Sequence, residues 1–191
     1  MIPVLEESSI RARVPPVSVA AYHRLYSEPE MEQKHIELIR GVLIEKMPQS
    51  PAHASAVEIL RERIERGLPD GYFLRQEKPL TFADSEPEPD LAVIRGSRLD
   101  FIDRHPEMAE IVIEIALTSE ALDRVKLELY ANANVKECWL VLLRHRLVER
   151  YYGPGSRGYG SVQRNDWPDG MTSAAIPGFT LGFEGLDRLK C

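Results

Sequence analysis

Little in this chain points to an unusual environment. Its 191 residues include only two cysteines, Cys138 and Cys191, which form neither a metal-ligand nor a disulfide pattern. No stretch approaches the ~20 apolar residues that span a bilayer, so no membrane partner is expected. Residues 1–13 carry acids at Glu6 and Glu7 and no apolar run, so no secretory signal is expected and a cytoplasmic location is the default. There is no surplus of positive charge: 24 Lys and Arg stand against 30 Asp and Glu, a net charge of −6. That balance argues against a broad electrostatic grip on nucleic acid, whose affinity comes largely from neutralised phosphates. It leaves room for a local basic patch. Arg61, Arg63, Arg66 and Arg75 could form one, or could simply be a solvated helix face. Internal repeats, low-complexity tracts and Walker, Rossmann or Ser-His-Asp patterns are all lacking. His23, His35, His105 and His145 are scattered without ligand spacing and read as structural or surface residues.

What is present is an ordinary globular composition, 43% hydrophobic and 28% charged, in a length that suits one domain over residues 1–191. Ser18 to Tyr26 reads as a short helix with Ser18 as its cap. His35 to Ile39 and Val42 to Met47 read as strands joined at Arg40-Gly41. Ser50 and Pro51 suit a helix start, and that helix runs to about Arg66 with Val57, Leu60 and Ile64 on one face. Tyr72 to Lys78, Leu80 to Phe82 and Asp90 to Ile94 read as strands, with a polar, helix-tending segment over Ser97 to Pro106. Ile111 to Ala116 is the clearest strand, short, β-branched and almost continuous, as in a sheet covered on both faces. Ser119 to Asn134 is the clearest helix. Cys138 to Leu143, a buried strand with Trp139 in the core, pairs with Leu147 to Tyr152, where Tyr151-Tyr152 reads as a strand edge. Gly153-Pro154-Gly155 reads as a turn. It opens a Gly/Pro-rich, β-tending extension over 153–191, with weak strands near Gly158 to Val162 and Phe179 to Phe183, beyond a core of about 35–152. This order predicts an α/β (α+β) fold, a mixed sheet covered by helices.

Three charges sit where apolar residues are expected. Glu114 lies inside the Ile111–Ala116 run and shares a strand face with Val112 and Ala116. Asp90 opens another apolar run, after Pro89. On the Ser119–Asn134 helix, Leu122, Val125, Leu129, Tyr130 and Ala133 mark the inward stripe, and Lys126 falls on it. Each has an ordinary reading: a strand-end glutamate paired with arginine, a turn aspartate, a lysine whose stem packs while its ammonium reaches water. Together they can do more. Two carboxylates can hold Mg²⁺ or Mn²⁺ through oxygen, and a lysine beside them can orient water or stabilise charge building on a phosphate. Nuclease chemistry is the leading expectation.

Four stretches carry a resemblance: residues 86–93 (Glu86 to Val93), 111–116, 123–131 and 136–141. It continues upstream through 37–45 and Pro51-Ala52-His53, and downstream through 148–154. Over most of its length the chain resembles the PD-(D/E)XK nuclease superfamily and, within it, the Uma family of restriction-endonuclease-like bacterial proteins. The resemblance implies a restriction-endonuclease-like mixed β-sheet flanked by helices and metal-dependent hydrolysis of DNA. Asp90 is similar to the superfamily's second-motif aspartate and Glu114 to its third-motif acid. The superfamily's lysine usually stands where this chain has Ala116, and in the Uma family it is moved to the next helix, matching Lys126. Glu45 and His53 match recurrent positions and are further candidates without an assigned role. They can equally be a paired surface glutamate and a helix-start histidine. Arg40 stands where the family often has an acid before the glycine, and Leu117-Thr118 replaces a more polar pair. Expected partners are DNA as substrate and a second copy of the chain, since cutting both strands needs two sites and twofold symmetry supplies them. The Gly/Pro-rich C-terminal segment is a candidate interface. Rival readings are an inactive nucleic-acid-binding or interaction module on the same fold, and a metal-dependent hydrolase of small phosphoesters.

Overall fold

The computed structural model describes residues 13–32, 34–117, 120–167 and 169–189. Glu6, Glu7, Thr118, Ser119 and Cys191, on which some expectations rest, lie outside the described residues. Among those described, no helix is long and apolar enough to cross a membrane. The chain forms two compact units: one of the residues up to Lys46 with Ala83–Pro87, the other of Met47–Phe82 and the residues from Glu88 on.

In the first unit, helix α1 (Val19–Tyr26) starts at Ser18, whose hydroxyl accepts from Ala21 N–H at 3.2 Å. A single turn, α2 (Pro29–Glu32), follows. Strands β1 (Ile36–Ile39) and β2 (Val42–Glu45) form an antiparallel hairpin, with Ile39 opposite Val42 and Ile36 opposite Glu45. Its two-residue turn puts both Arg40 (φ 48°) and Gly41 (φ 75°) in the left-handed region, the geometry that matches the strands' twist. Glycine is required at the second position for another reason too: a Cβ on Gly41 would stand 2.4 Å from Pro16 Cβ. Tyr22, Ile36 and Leu38 form the unit's small core, and Tyr22 O–H donates to Ile36 C=O at 2.6 Å.

The second unit is built on a six-stranded mixed sheet in the order β3-β4-β5-β6-β7-β8. Its strands are β3 (Tyr72–Gln76), β4 (Leu91–Arg95), β5 (Ile111–Ala116), β6 (Glu137–Leu142), β7 (Leu147–Gly155) and β8 (Gly158–Asp166). Only the β5–β6 pair is parallel, and the chain crosses between these two strands through helix α4 (Glu120–Asn132). Side chains alternate across the sheet. Leu91, Val93, Ile111, Ile113, Ile115, Trp139 and Val141 cluster with Ala56, Val57, Leu60 and Ile64 of helix α3 (Pro51–Gly67). Burying each of those larger aliphatic side chains contributes roughly 1.5–3 kcal/mol. Glu114 belongs to the other face, and α4 packs against β5 to β8. With both faces covered, every residue of β5 and β6 is buried.

Several expectations are corrected. Leu80–Phe82 is not a ladder strand. Glu77 takes a left-handed conformation (φ 47°), Pro79 has no N–H to pair, and Leu80 and Phe82 are buried as irregular chain. Ser97–Pro106 yields only a short 3₁₀ turn, Arg98–Phe101. Gly153-Pro154-Gly155 is not the turn. It lies inside β7, with Pro154 opposite Tyr159, and the chain reverses after Gly155, with Gly158 at φ 99°. Tyr151 and Tyr152 are therefore interior, between β6 and β8. Residues past 153 also belong to the main unit. They complete the sheet, form the small pair β9 (Met171–Thr172) and β10 (Thr180–Leu181), and send Phe179, Leu181 and Phe183 into the core.

Helix α3 begins at Ser50, whose hydroxyl accepts from His53 N–H at 3.2 Å. Ser50→Ala removes that cap and is expected to cost about 1 kcal/mol. Urea unfolding should show it as a lower midpoint at unchanged slope.

Candidate active site

The β4–β5 register places Leu91 opposite Ile113, so Asp90, one residue earlier, comes beside Glu114. The two acids are laced to each other's strands. Ile115 N–H donates to Asp90 Oδ2 at 2.7 Å, and Asp90 N–H to Glu114 Oε2 at 3.4 Å. Glu114 Oε1 accepts from Tyr130 O–H at 2.6 Å and stands 3.5 Å from Lys126 Nζ. His53, in the first turn of α3, brings Nε2 to 3.1 Å from Asp90 Oδ2. Asp90 is 7% exposed and Glu114 and Lys126 are each 3% exposed. Buried charges of this kind persist only when paired.

The structure thus brings together four of the five expected residues: His53, Asp90, Glu114 and Lys126. Glu45 lies in the first unit, exposed on β2 opposite Ile36. The inward face of α4 differs from the expected stripe. Val125 is 53% exposed, while Asp123, Lys126, Leu129, Tyr130 and Ala131 are buried. The helix is turned so that a polar line, Asp123, Lys126 and Tyr130 at i, i+3 and i+7, faces inward. Counting apolar residues hid this, because the partner to be matched is a carboxylate. Asp123 and Tyr130 were therefore missed as site residues. Their i−3 and i+4 spacing from Lys126 was the available signal.

Burial alone would lower the His53 pKa. The hydrogen bond and charge of Asp90, with the charges of Glu77 and Asp123, outweigh it, and the imidazole is held above its ordinary value. Behind the site, burial first, then Glu114 and Asp123, push the Cys138 thiol well up against a smaller opposing effect of Lys126, so it is an inert core group. The four arginines considered as a basic patch are engaged within the chain. Arg61 pairs with Glu65 at 2.7 Å and Arg66 with Glu62 at 3.8 Å, Arg63 donates to Gly182 C=O at 2.8 Å, and Arg75 meets His105 at 3.2 Å. Trp139 is core, with its N–H on Glu137 at 2.8 Å.

The donor set suits a hard divalent cation. Asp90 Oδ1 accepts no hydrogen bond from a described residue, its other oxygen taking the bonds from Ile115 N–H and His53. No three His, Cys, Asp or Glu side chains among the described residues are placed to hold an ion. Two carboxylates, with water and phosphate oxygens completing the shell, are nevertheless a set that Mg²⁺ accepts.

A second polar cluster fixes α4. Arg124 Nη1 donates to Glu149 Oε2 at 3.0 Å and to Tyr151 Oη at 2.9 Å, Tyr151 O–H donates to Glu149 at 2.6 Å, and Arg164 donates to the other Glu149 oxygen at 2.8 Å. Burial alone would raise the Glu149 pKa, but the bonds from Tyr151, Arg164 and Arg124 outweigh it and hold the carboxyl below its ordinary value.

A model of the Uma2 family, described as Putative restriction endonuclease, matches residues 19–184. No curated protein matches the chain. A solved structure with a similar fold is that of a putative nuclease belonging to DUF820 from Anabaena variabilis ATCC 29413. It has a TM-score of 0.74 at 18% identity, over 91% of this chain and 99% of that one.

A depressed carboxyl pKa stabilises the fold above the ordinary carboxylate value, and that contribution is lost as pH falls through the folded-state value. Glu149→Gln should therefore be less stable than the parent at pH 7. The gap should narrow as pH is lowered from 7 towards about 3 and the parent carboxyl takes up its proton. Urea midpoints at the two pH values measure it.

Proposed function

The chain belongs to the Uma2 family, and on that premise we propose that it is a metal-dependent DNA endonuclease of the PD-(D/E)XK type, acting in the cytoplasm as a homodimer. The observation that carries the reading is the β4–β5 register that sets Asp90 beside Glu114, with the Lys126 ammonium 3.5 Å from Glu114 Oε1. Asp90 and Glu114 are the residues that would hold Mg²⁺ or Mn²⁺. When bound, such an ion supplies a Lewis acid for the phosphate and lowers the pKa of a bound water.

The chain's own residues do the rest. Asp90 is held by Ile115 N–H and His53, so its carboxylate is directed before substrate arrives. Lys126, fixed by Glu114 and almost dry, presents a positive charge that does not need to reorganise as negative charge grows on the phosphate. Electrostatic stabilisation of this type is the main requirement of phosphodiester hydrolysis. A small phosphoester is the second reading. It is favoured by Arg61, Arg63, Arg66 and Arg75 each already having a partner within the chain.

Plasmid and single-stranded DNA, incubated with Mg²⁺, Mn²⁺ or EDTA, test the proposal. Cleavage should require the metal and fall by about 100-fold or more in Lys126→Ala. Cleavage unchanged by EDTA or by the substitution overturns it, and a folded protein that cuts only small phosphodiesters establishes the second reading. Sedimentation should find a dimer at working concentration. A monomer alone would remove the homodimer from the proposal.

A further inference from the structure

We infer that Tyr130 is a positioning residue that fixes the orientation of the Glu114 carboxylate as a prospective ligand of the metal ion. The inference rests on the metal-dependent reading above. Tyr130 is fully buried, and its hydroxyl donates to Glu114 Oε1 at 2.6 Å. It stands four residues after Lys126 on α4, one turn along the same face, so both donors come to the same oxygen: Lys126 Nζ is 3.5 Å from Oε1. Oε2 is thereby turned toward Asp90, whose N–H reaches it at 3.4 Å. The Glu114 carboxylate is thus held in one orientation, with Oε2 on the side of the Asp90 backbone.

The two donors are not equivalent. Lysine is a point charge on a flexible stem and fixes a direction poorly. The tyrosine hydroxyl stands at the end of a rigid ring, and that ring packs edge-on against Phe82 with centroids 6.3 Å apart and planes at 81°. Phenylalanine at this place would fill the same space and keep the ring contact. The hydroxyl is therefore what this position adds, and its acceptor is the one carboxylate of β5. Partners that orient a ligating carboxylate in this way typically carry 10–100-fold in metal affinity.

Mn²⁺ titration calorimetry on the DNA-free protein reads this directly. Tyr130→Phe should raise the Mn²⁺ Kd roughly tenfold. The Mn²⁺ concentration that half-saturates cleavage should rise in step. Lys126→Ala should instead lose turnover that added Mn²⁺ does not restore. A Tyr130→Phe protein with the parent's Mn²⁺ Kd overturns the inference while leaving the metal-dependent reading intact. A parent protein that binds no Mn²⁺ overturns that reading and the inference with it. If Tyr130→Phe does not fold, Phe82→Leu keeps the hydroxyl but frees the ring. Weaker Mn²⁺ binding in that variant supports the inference and unchanged binding overturns it.

Discussion

A carboxylate in the middle of a sheet covered on both faces is the constraint on which the second unit is organised. Glu114 is 3% exposed, and an isolated ionised carboxylate there would cost several kcal/mol or give up its charge. The chain meets this with a tyrosine hydroxyl and an ammonium, both from α4. That requirement sets the rotation of the helix. Val125 is left in solvent so that Asp123, Lys126 and Tyr130 can face inward, an orientation that apolar burial alone would not select. A second buried acid, Glu149, holds the same helix through Arg124, from the other side of the inward face. The placement of Lys126 thus follows from two polar contacts rather than from a hydrophobic stripe.

The other half of the site follows from strand pairing. Antiparallel register between β4 and β5 sets Asp90 beside Glu114; the Glu114 carboxylate then accepts from Asp90 N–H and the Asp90 carboxylate from Ile115 N–H. Neither side chain can shift without breaking a bond to the neighbouring strand. His53 adds a third anchor from a helix whose start is fixed by Ser50 and Pro51. Groups supported in this way are arranged before any ligand arrives, which is the condition for electrostatic stabilisation of a charged transition state.

The sheet was legible in the sequence because burial on both faces leaves a continuous β-branched run, as at Ile111–Ala116, and because Ser50-Pro51 and Ser18 are local signals that need no tertiary context. The site was legible as an anomaly: Asp90, Glu114 and Lys126 are charged residues in apolar surroundings, and the structure brings them together with His53. What was not legible depends on long-range partners. The facing of α4 could not be read from its apolar residues, since its partner is Glu114. Leu80–Phe82 alternates like a strand, yet the left-handed Glu77 and Pro79 take it off the ladder. Gly153-Pro154-Gly155 has turn composition but is held in β7 by pairing with β8, a contact no local signal encodes.

The charge balance of the interior bears on what the site is for. Asp90, Glu114 and Asp123 are buried acids, and among the described residues Lys126 is the one buried lysine. His53 can offset part of the imbalance by taking a proton, and its raised pKa is the response expected of a base facing Asp90, Glu77 and Asp123. A protein selected only for stability would replace such a cluster with apolar residues of similar volume, which is often neutral or stabilising. Keeping these charged groups on strands and a helix that hold them in place is consistent with the metal-dependent reading proposed above. In that reading a divalent cation would meet Asp90 and Glu114 carboxylates already held by their hydrogen-bond partners. The net charge of −6, which at first argues against a nucleic-acid enzyme, is consistent with a site whose affinity for phosphate would depend on an ion rather than on a basic surface.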